Sequence, residues 1–252
     1  MAIEAILLEQ PLLAIEDLYD PRYFFFDGKN RGQSTCGIAF ETLLGIYRHL
    51  DDQSMYLTDT WYQAISVAPN VIVLGYLAEH MCLAAIQRGA LQIVDQCLHD
   101  PLEKTSFDDV PPVASLIAGN KKRQLYVPSA FNFSDIDAAI VHLDRKALKA
   151  HVYLVQVTIA ESHKDSEKKF YESHWEKWVK RFQSQDYGVD STFIWVTREE
   201  PSAQDVQEVT RNTRNAGEMV TVYGHHRKHI SIKSLDLGLH NAIENARIDI
   251  CT

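Results

Sequence analysis

The 252-residue chain has no uninterrupted apolar run of 18 residues, so the sequence offers no membrane-spanning helix and no membrane partner. It has no excess of positive charge either. Acidic residues outnumber basic ones 34 to 25, for a net charge of -9, which argues against a surface that coats nucleic acid all over and leaves room for a local basic face. Cysteine is sparse. Cys36, Cys82, Cys97 and Cys251 contain no Cys-x-x-Cys pair, so neither a disulfide framework nor a zinc knuckle is expected, and a reducing compartment follows. The first residues lack a basic n-region, and Glu4 and Glu9 interrupt their apolar stretch, so no conventional signal peptide is visible. Either the protein acts inside the cell that makes it, or this chain is one piece of a longer protein; the expected location is intracellular. Internal repeats, low-complexity tracts, a Gly-x-Ser-x-Gly elbow and a dinucleotide-binding fingerprint are all missing, which leaves Ser/His/Asp catalysis and Rossmann-type cofactor binding without support.

What is present is ordinary globular material, 46% apolar and 23% charged, enough to bury a real core. Residues 1–35 mix apolar and acidic segments around a turn-rich run at 26–32, and residues 36–49 have helical spacing through Phe40, Leu43, Leu44 and Tyr47. Residues 70–88 read as a long buried helix, entered after Pro69 and Asn70 and stopped at Gly89. We therefore expect an N-terminal helical extension over 1–68, which could meet a protein partner, and a main domain over 69–252. Pro101, Pro111, Pro112 and Gly119 mark 95–123 as an insertion or long loop. Strands are predicted at 124–127, 136–143, 151–160, 192–197 and 229–232. An amphipathic helix is predicted over 165–183, with Phe170, Trp175, Trp178 and Phe182 as its apolar stripe, and a last helix over 237–248. The order suggests an α/β fold with one central mixed sheet flanked by helices.

The chemistry-bearing residues concentrate at two of those strands. Alternation puts Asp135 and Asp137 on one face of the 134–140 segment, and Leu154, Gln156 and Thr158 on one face of the next. If the two strands pair, Asp137 meets Gln156 and Thr158. The plainer alternative is a half-exposed sheet, on which polar residues alternate anyway. Glu79 lies on the long helix beside Ile72, Gly75, Leu83 and Ile86, so its carboxylate needs a metal, a proton or a basic partner.

A helical Glu, a strand Asp and a Glu/Gln-x-Lys-like pair on the neighbouring strand are the parts of a restriction-endonuclease-like core. The chain resembles the Crinkler and retrotransposon-hot-spot-like proteins, in their fungal branch. The resemblance rests on residues 69–89, 126–143, 152–170 and 192–197: an Asp, a strand ending in Gln156-Val157-Thr158, then His163-Lys164 opening a helix. It implies a metal-dependent deoxyribonuclease or a degenerate form of one, with Glu79, Asp137 and Gln156 holding Mg²⁺ or Mn²⁺ and the carbonyl of Val157 turned to the same ion. It also implies action on DNA in nuclei and an effector role. The alternative is an inactive module of the same fold that binds nucleic acid or protein.

This chain departs from the family pattern at several points. No Gly-x-x-x-x-Gly-Lys-Ser/Thr phosphate loop and no LxLFLAK-type translocation string occur. Thr158 stands where the catalytic Lys usually sits, and Gln156 replaces the more usual Glu, so Lys164 becomes the candidate for the missing catalytic cation. Basic residues cluster at Lys121, Lys122 and Arg123, on the 165–183 helix, and at 225–229, where a turn bearing Arg227 and Lys228 is expected. Lys121, Lys122, Arg123, Arg227 and Lys228 are the candidate phosphate contacts. On the helix, Glu167, Glu172 and Glu176 interleave with the lysines and are expected to neutralise them.

Overall fold

The computed structural model describes residues 24–26, 32–34, 62, 65, 71–93, 96–97, 101–129, 133, 135–159, 166–198, 207–215 and 218–251. Lys164 and the predicted helix at 36–49 lie outside the described residues. The described strands are β1 (Phe24–Phe26), β2 (Gly32–Ser34), β3 (Gln92–Ile93), β4 (Gln96–Cys97), β5 (Lys104–Phe107), β6 (Arg123–Pro128), β7 (Ala138–Asp144), β8 (Lys149–Thr158), β9 (Gly188–Thr197), β10 (Gln207–Asn215) and β11 (Glu218–Ser231). The described helices are α1 (Val71–Gln87), α2 (Val113–Ala118), α3 (Ser166–Ser173), α4 (Trp175–Gln183), α5 (Ile232–Leu235) and α6 (Leu237–Cys251). None of them is long and apolar enough to cross a membrane.

The chain divides into two compact units, Met1–His80 with Asn241–Thr252, and Met81–His240, with boundaries falling inside α1 and α6. In the first unit, β1 and β2 pair antiparallel across the turn-rich run, Phe24 opposite Ser34 and Phe26 opposite Gly32. Helix α1 matches its predicted span. It is mostly apolar, and Leu74, Leu77, Met81, Cys82 and Ile86 are almost inaccessible. It stops at Gly89, whose φ of 90° takes the chain out of the helix at little cost, its N–H bonding to the carbonyl of Ile86. Cys82 is the small core residue the sequence suggests.

The second unit is a seven-stranded mixed sheet in the order β10-β11-β9-β8-β7-β6-β5. Strands β6, β7 and β8 form an antiparallel meander; β9 then lies parallel to β8, and β11 parallel to β9. The α/β class with a central mixed sheet is thus correct. The 95–123 segment is not simply a loop, because Lys104–Phe107 forms the sheet's edge strand, parallel to β6, and Val113–Ala118 is helical. Arg145 fastens that helix. Its guanidinium donates to the carbonyls of Leu116, Ile117 and Gly119 at 2.5–2.8 Å, placing positive charge at the helix C-terminus.

One face of the sheet carries Tyr126, Ala139, Val141, Val152, Leu154 and Phe193, all fully buried, against Phe170, Trp175, Trp178 and Phe182 of α3 and α4. The predicted apolar stripe is therefore right. The single predicted helix is two, broken at His174, whose φ of -120° leaves the helical range as its ring turns between Asp135 and Asp109. Tight pairing of Asp144 with Lys149 closes the β7–β8 hairpin, with Asp144 accepting from the N–H groups of Lys146 and Ala147.

Candidate functional site

The antiparallel register of β7 and β8 sets Ala138 opposite Val155, so the residue entering β7 meets the last turn of the pleat on β8. That residue is Asp137, and its own N–H donates to the carbonyl of Val155 at 2.8 Å. Its Oδ2 accepts from Nε2 of Gln156 at 2.9 Å and from the N–H of Val157 at 2.6 Å. The same amide nitrogen lies 3.4 Å from the carbonyl oxygen of Val157. The other end of the amide, Oε1, is buried without a hydrogen-bond partner. Asp137 and Gln156 therefore meet as the strand pattern predicts, with Thr158 two residues further along the same face.

Asp135 does not share that contact. The strand begins at Ala138, later than predicted, so the alternation argument does not extend back to Asp135. Its carboxylate is nearly fully buried and lies 3.2 Å from Nε2 of His174, while Nδ1 of His174 lies 3.5 Å from Asp109. Glu79 is half-buried on α1 in the first unit, whereas Asp137 and Gln156 belong to the second. Lys164 falls among the residues that are not described.

The candidate phosphate contacts separate. Lys121 is exposed and paired with Glu103, and Lys122 is exposed. Arg123 is half-buried at the head of β6, with its Nε inaccessible. The 225–229 segment is not a turn between strands. It lies inside β11, where Arg227 and Lys228 point to opposite faces of the sheet. Lys228 is half-buried, and that burial pushes its ammonium below the usual lysine range.

Arg227 meets a residue that sequence reasoning assigned differently. Glu172 and Glu176 do lie beside Lys168 and Lys180, as the i,i+4 spacing suggests. Glu167 does not face the lysines: it turns inward and is only 2% exposed. Its carboxylate accepts from Arg227 Nε at 2.8 Å, Arg227 Nη2 at 2.9 Å and Trp195 Nε1 at 3.2 Å, and contacts His225 Nε2 at 2.5 Å. Tyr171 stacks on His225 with ring centroids 4.1 Å apart and bonds to Ser191. Burial alone pushes the Glu167 carboxyl upward, but the bonds from His225, Arg227 and Trp195 and the Arg227 charge outweigh it and hold the group at about 2. The available signal was positional: Glu167 lies one turn from Phe170 and Tyr171, on the side that faces the core.

The oxygen donors around Asp137 suit a hard divalent cation. Turning over the amide end of Gln156 would set Oε1 in place of Nε2, so that a carboxylate, an amide oxygen and the Val157 carbonyl face one point. Among the described residues, no three His, Cys, Asp or Glu side chains gather in a way that could hold a metal. Any ion here would depend on the neutral oxygens. Comparison of the chain with protein-family models, with curated proteins and with solved structures finds no match in any of the three.

Proposed function

We propose that this chain is a nuclease-like protein with a restriction-endonuclease-like core, in which Asp137, Gln156 and the Val157 carbonyl hold Mg²⁺ or Mn²⁺ for hydrolysis of a phosphodiester bond in DNA. The observation that carries the reading is the 2.9 Å contact of Gln156 with Asp137, beside the Val157 carbonyl. A divalent cation bound there would activate water and offset the charge of the attacked phosphodiester. Asp137 brings a formal negative charge to this donor set, and with the Gln156 amide turned over the N–H of Val157 still holds its carboxylate in place. Gln156 supplies an oxygen without charge, which makes for weak cation binding. Lys164, read from the sequence alone, is the candidate for the cation that Thr158 cannot supply. The same reading assigns the chain to the Crinkler and retrotransposon-hot-spot-like proteins and puts its substrate in the nucleus.

One observation favours a second reading. Two carboxylates at the Asp137–Gln156 distance would repel unless a cation lay between them, whereas the Gln156 amide donates to Asp137 and closes the pair without one. A module that binds nucleic acid without cutting it would be built this way.

Incubation of plasmid and single-stranded DNA with Mg²⁺ or Mn²⁺, beside Asp137→Ala, separates the two. The proposal expects cutting by the parent chain that stops with the mutant or with a chelator. Absence of cutting under either metal, from a folded parent, would leave only the binding reading.

A further inference from the structure

The buried Glu167 carboxylate accepts from several donors, and among those described Arg227 is the one that opens widely to solvent. His225 is 0% exposed and Glu167 2%, while Arg227 keeps 30% of its side chain open. Of the five guanidinium N–H groups, those on Nε and one on Nη2 are turned to Glu167, which leaves the opposite edge of the fork for an outside acceptor. The sheet register fixes where that edge stands. Gln156 pairs with Trp195, and Trp195 with His229, so these three side chains share one face. Arg227, two residues before His229, is on that face as well, two strand spacings (about 10 Å) across the sheet and two residues (about 7 Å) along the strand from Gln156. Trp195 lies between them, next to Gln156 in the sheet and bonded to Glu167 through its indole N–H.

We infer that Arg227 is a phosphodiester-binding residue on the Asp137–Gln156 face of the sheet, with Glu167 as its positioning residue. The inference rests on the proposed reading that the chain acts on nucleic acid, and it holds whether or not the chain cuts. A planar guanidinium matches the geometry of two phosphate oxygens, and anchoring one edge to a fixed carboxylate orders the side chain before the ligand arrives. An ion pair buried for stability alone has no need of a half-open Arg, because well-packed apolar residues serve at least as well.

The test is DNA binding measured by fluorescence anisotropy in a chelator, so that cutting plays no part, over a series of KCl concentrations. The probes are a labelled DNA duplex and its single strand. The key variant is Glu167→Gln with Arg227→Gln, which removes both charges of the pair and leaves the net charge unchanged. The expected result is a duplex salt dependence, log K against log[KCl], shallower than the parent's by about 0.9, the loss of one phosphate contact. Arg227→Lys keeps a cation beside Glu167 but loses the fork, and is expected to hold the slope while binding more weakly. Equal slopes for the parent and the folded double variant would overturn the assignment and leave the pair structural. If the double variant does not fold, Arg227→Lys decides, and parental affinity overturns the assignment. A parent that binds neither probe would overturn this inference and the nucleic-acid reading together, an outcome distinct from unchanged slopes in a parent that binds.

Discussion

Arg227→Ala is expected to lower the folding stability by about 3 kcal/mol, because it leaves the buried Glu167 carboxylate without its charged partner. Chemical denaturation near neutral pH measures the loss. Acid acts on the same cluster. The Glu167 carboxyl falls from an ordinary 4.5 to about 2 on folding. A group depressed in the folded state contributes stability that is fully present above its unfolded value and is lost as the pH drops through the folded one. The window is therefore from about 4.5 down to about 2, and the contribution is on the order of 3 kcal/mol. The parent should lose more stability than Glu167→Gln as the pH is lowered through that window. Parallel acid profiles for the two would show that the carboxylate is not held by its partners as described.

Trp178→Ala is expected to cost about 3–5 kcal/mol, a large share of the stability of an ordinary domain. The indole is fully buried where the sheet meets α3 and α4. It packs edge-on against Phe107 and Phe170 at centroid distances of 5.4 and 5.2 Å, and its N–H donates to the carbonyl of Asp109 at 3.1 Å. Because Phe107 belongs to the edge strand β5, this one side chain joins that strand to the helices. Trp178→Phe keeps a ring and loses the donor, so its cost should be nearer 1 kcal/mol. Urea midpoints for the two variants test the ordering, and equal midpoints would place the indole outside the load-carrying part of the core.

The sequence made the central strands legible because β7 is a short apolar run and β8 alternates over most of its length, and the contact of Asp137 with Gln156 follows from that alternation once the two strands pair. The apolar stripe of α3 and α4 was legible for the same reason at a helical period. The break at His174 was not, since it depends on Asp135 and Asp109 reaching the ring from other segments. Nor could local pattern reveal the edge strand β5: four residues among prolines and acidic residues read as loop until β6 is there to pair with them. Glu167 was misread because i,i+4 spacing offered it surface lysines, while its true partners lie 28 to 60 residues away along the chain. The 225–229 segment reads as a turn by composition, yet its register with β9 makes it strand. In each case a long-range partner overrode the local signal.

The most direct test of the central claim is titration of Mn²⁺ into the metal-free protein by calorimetry, for the parent, Asp137→Asn and Gln156→Glu. If Asp137, Gln156 and the Val157 carbonyl form a cation site, the parent binds weakly, Asp137→Asn loses the binding, and Gln156→Glu binds more tightly because a second negative charge joins the set. Binding that is the same in all three proteins, or absent from Gln156→Glu, would contradict the site.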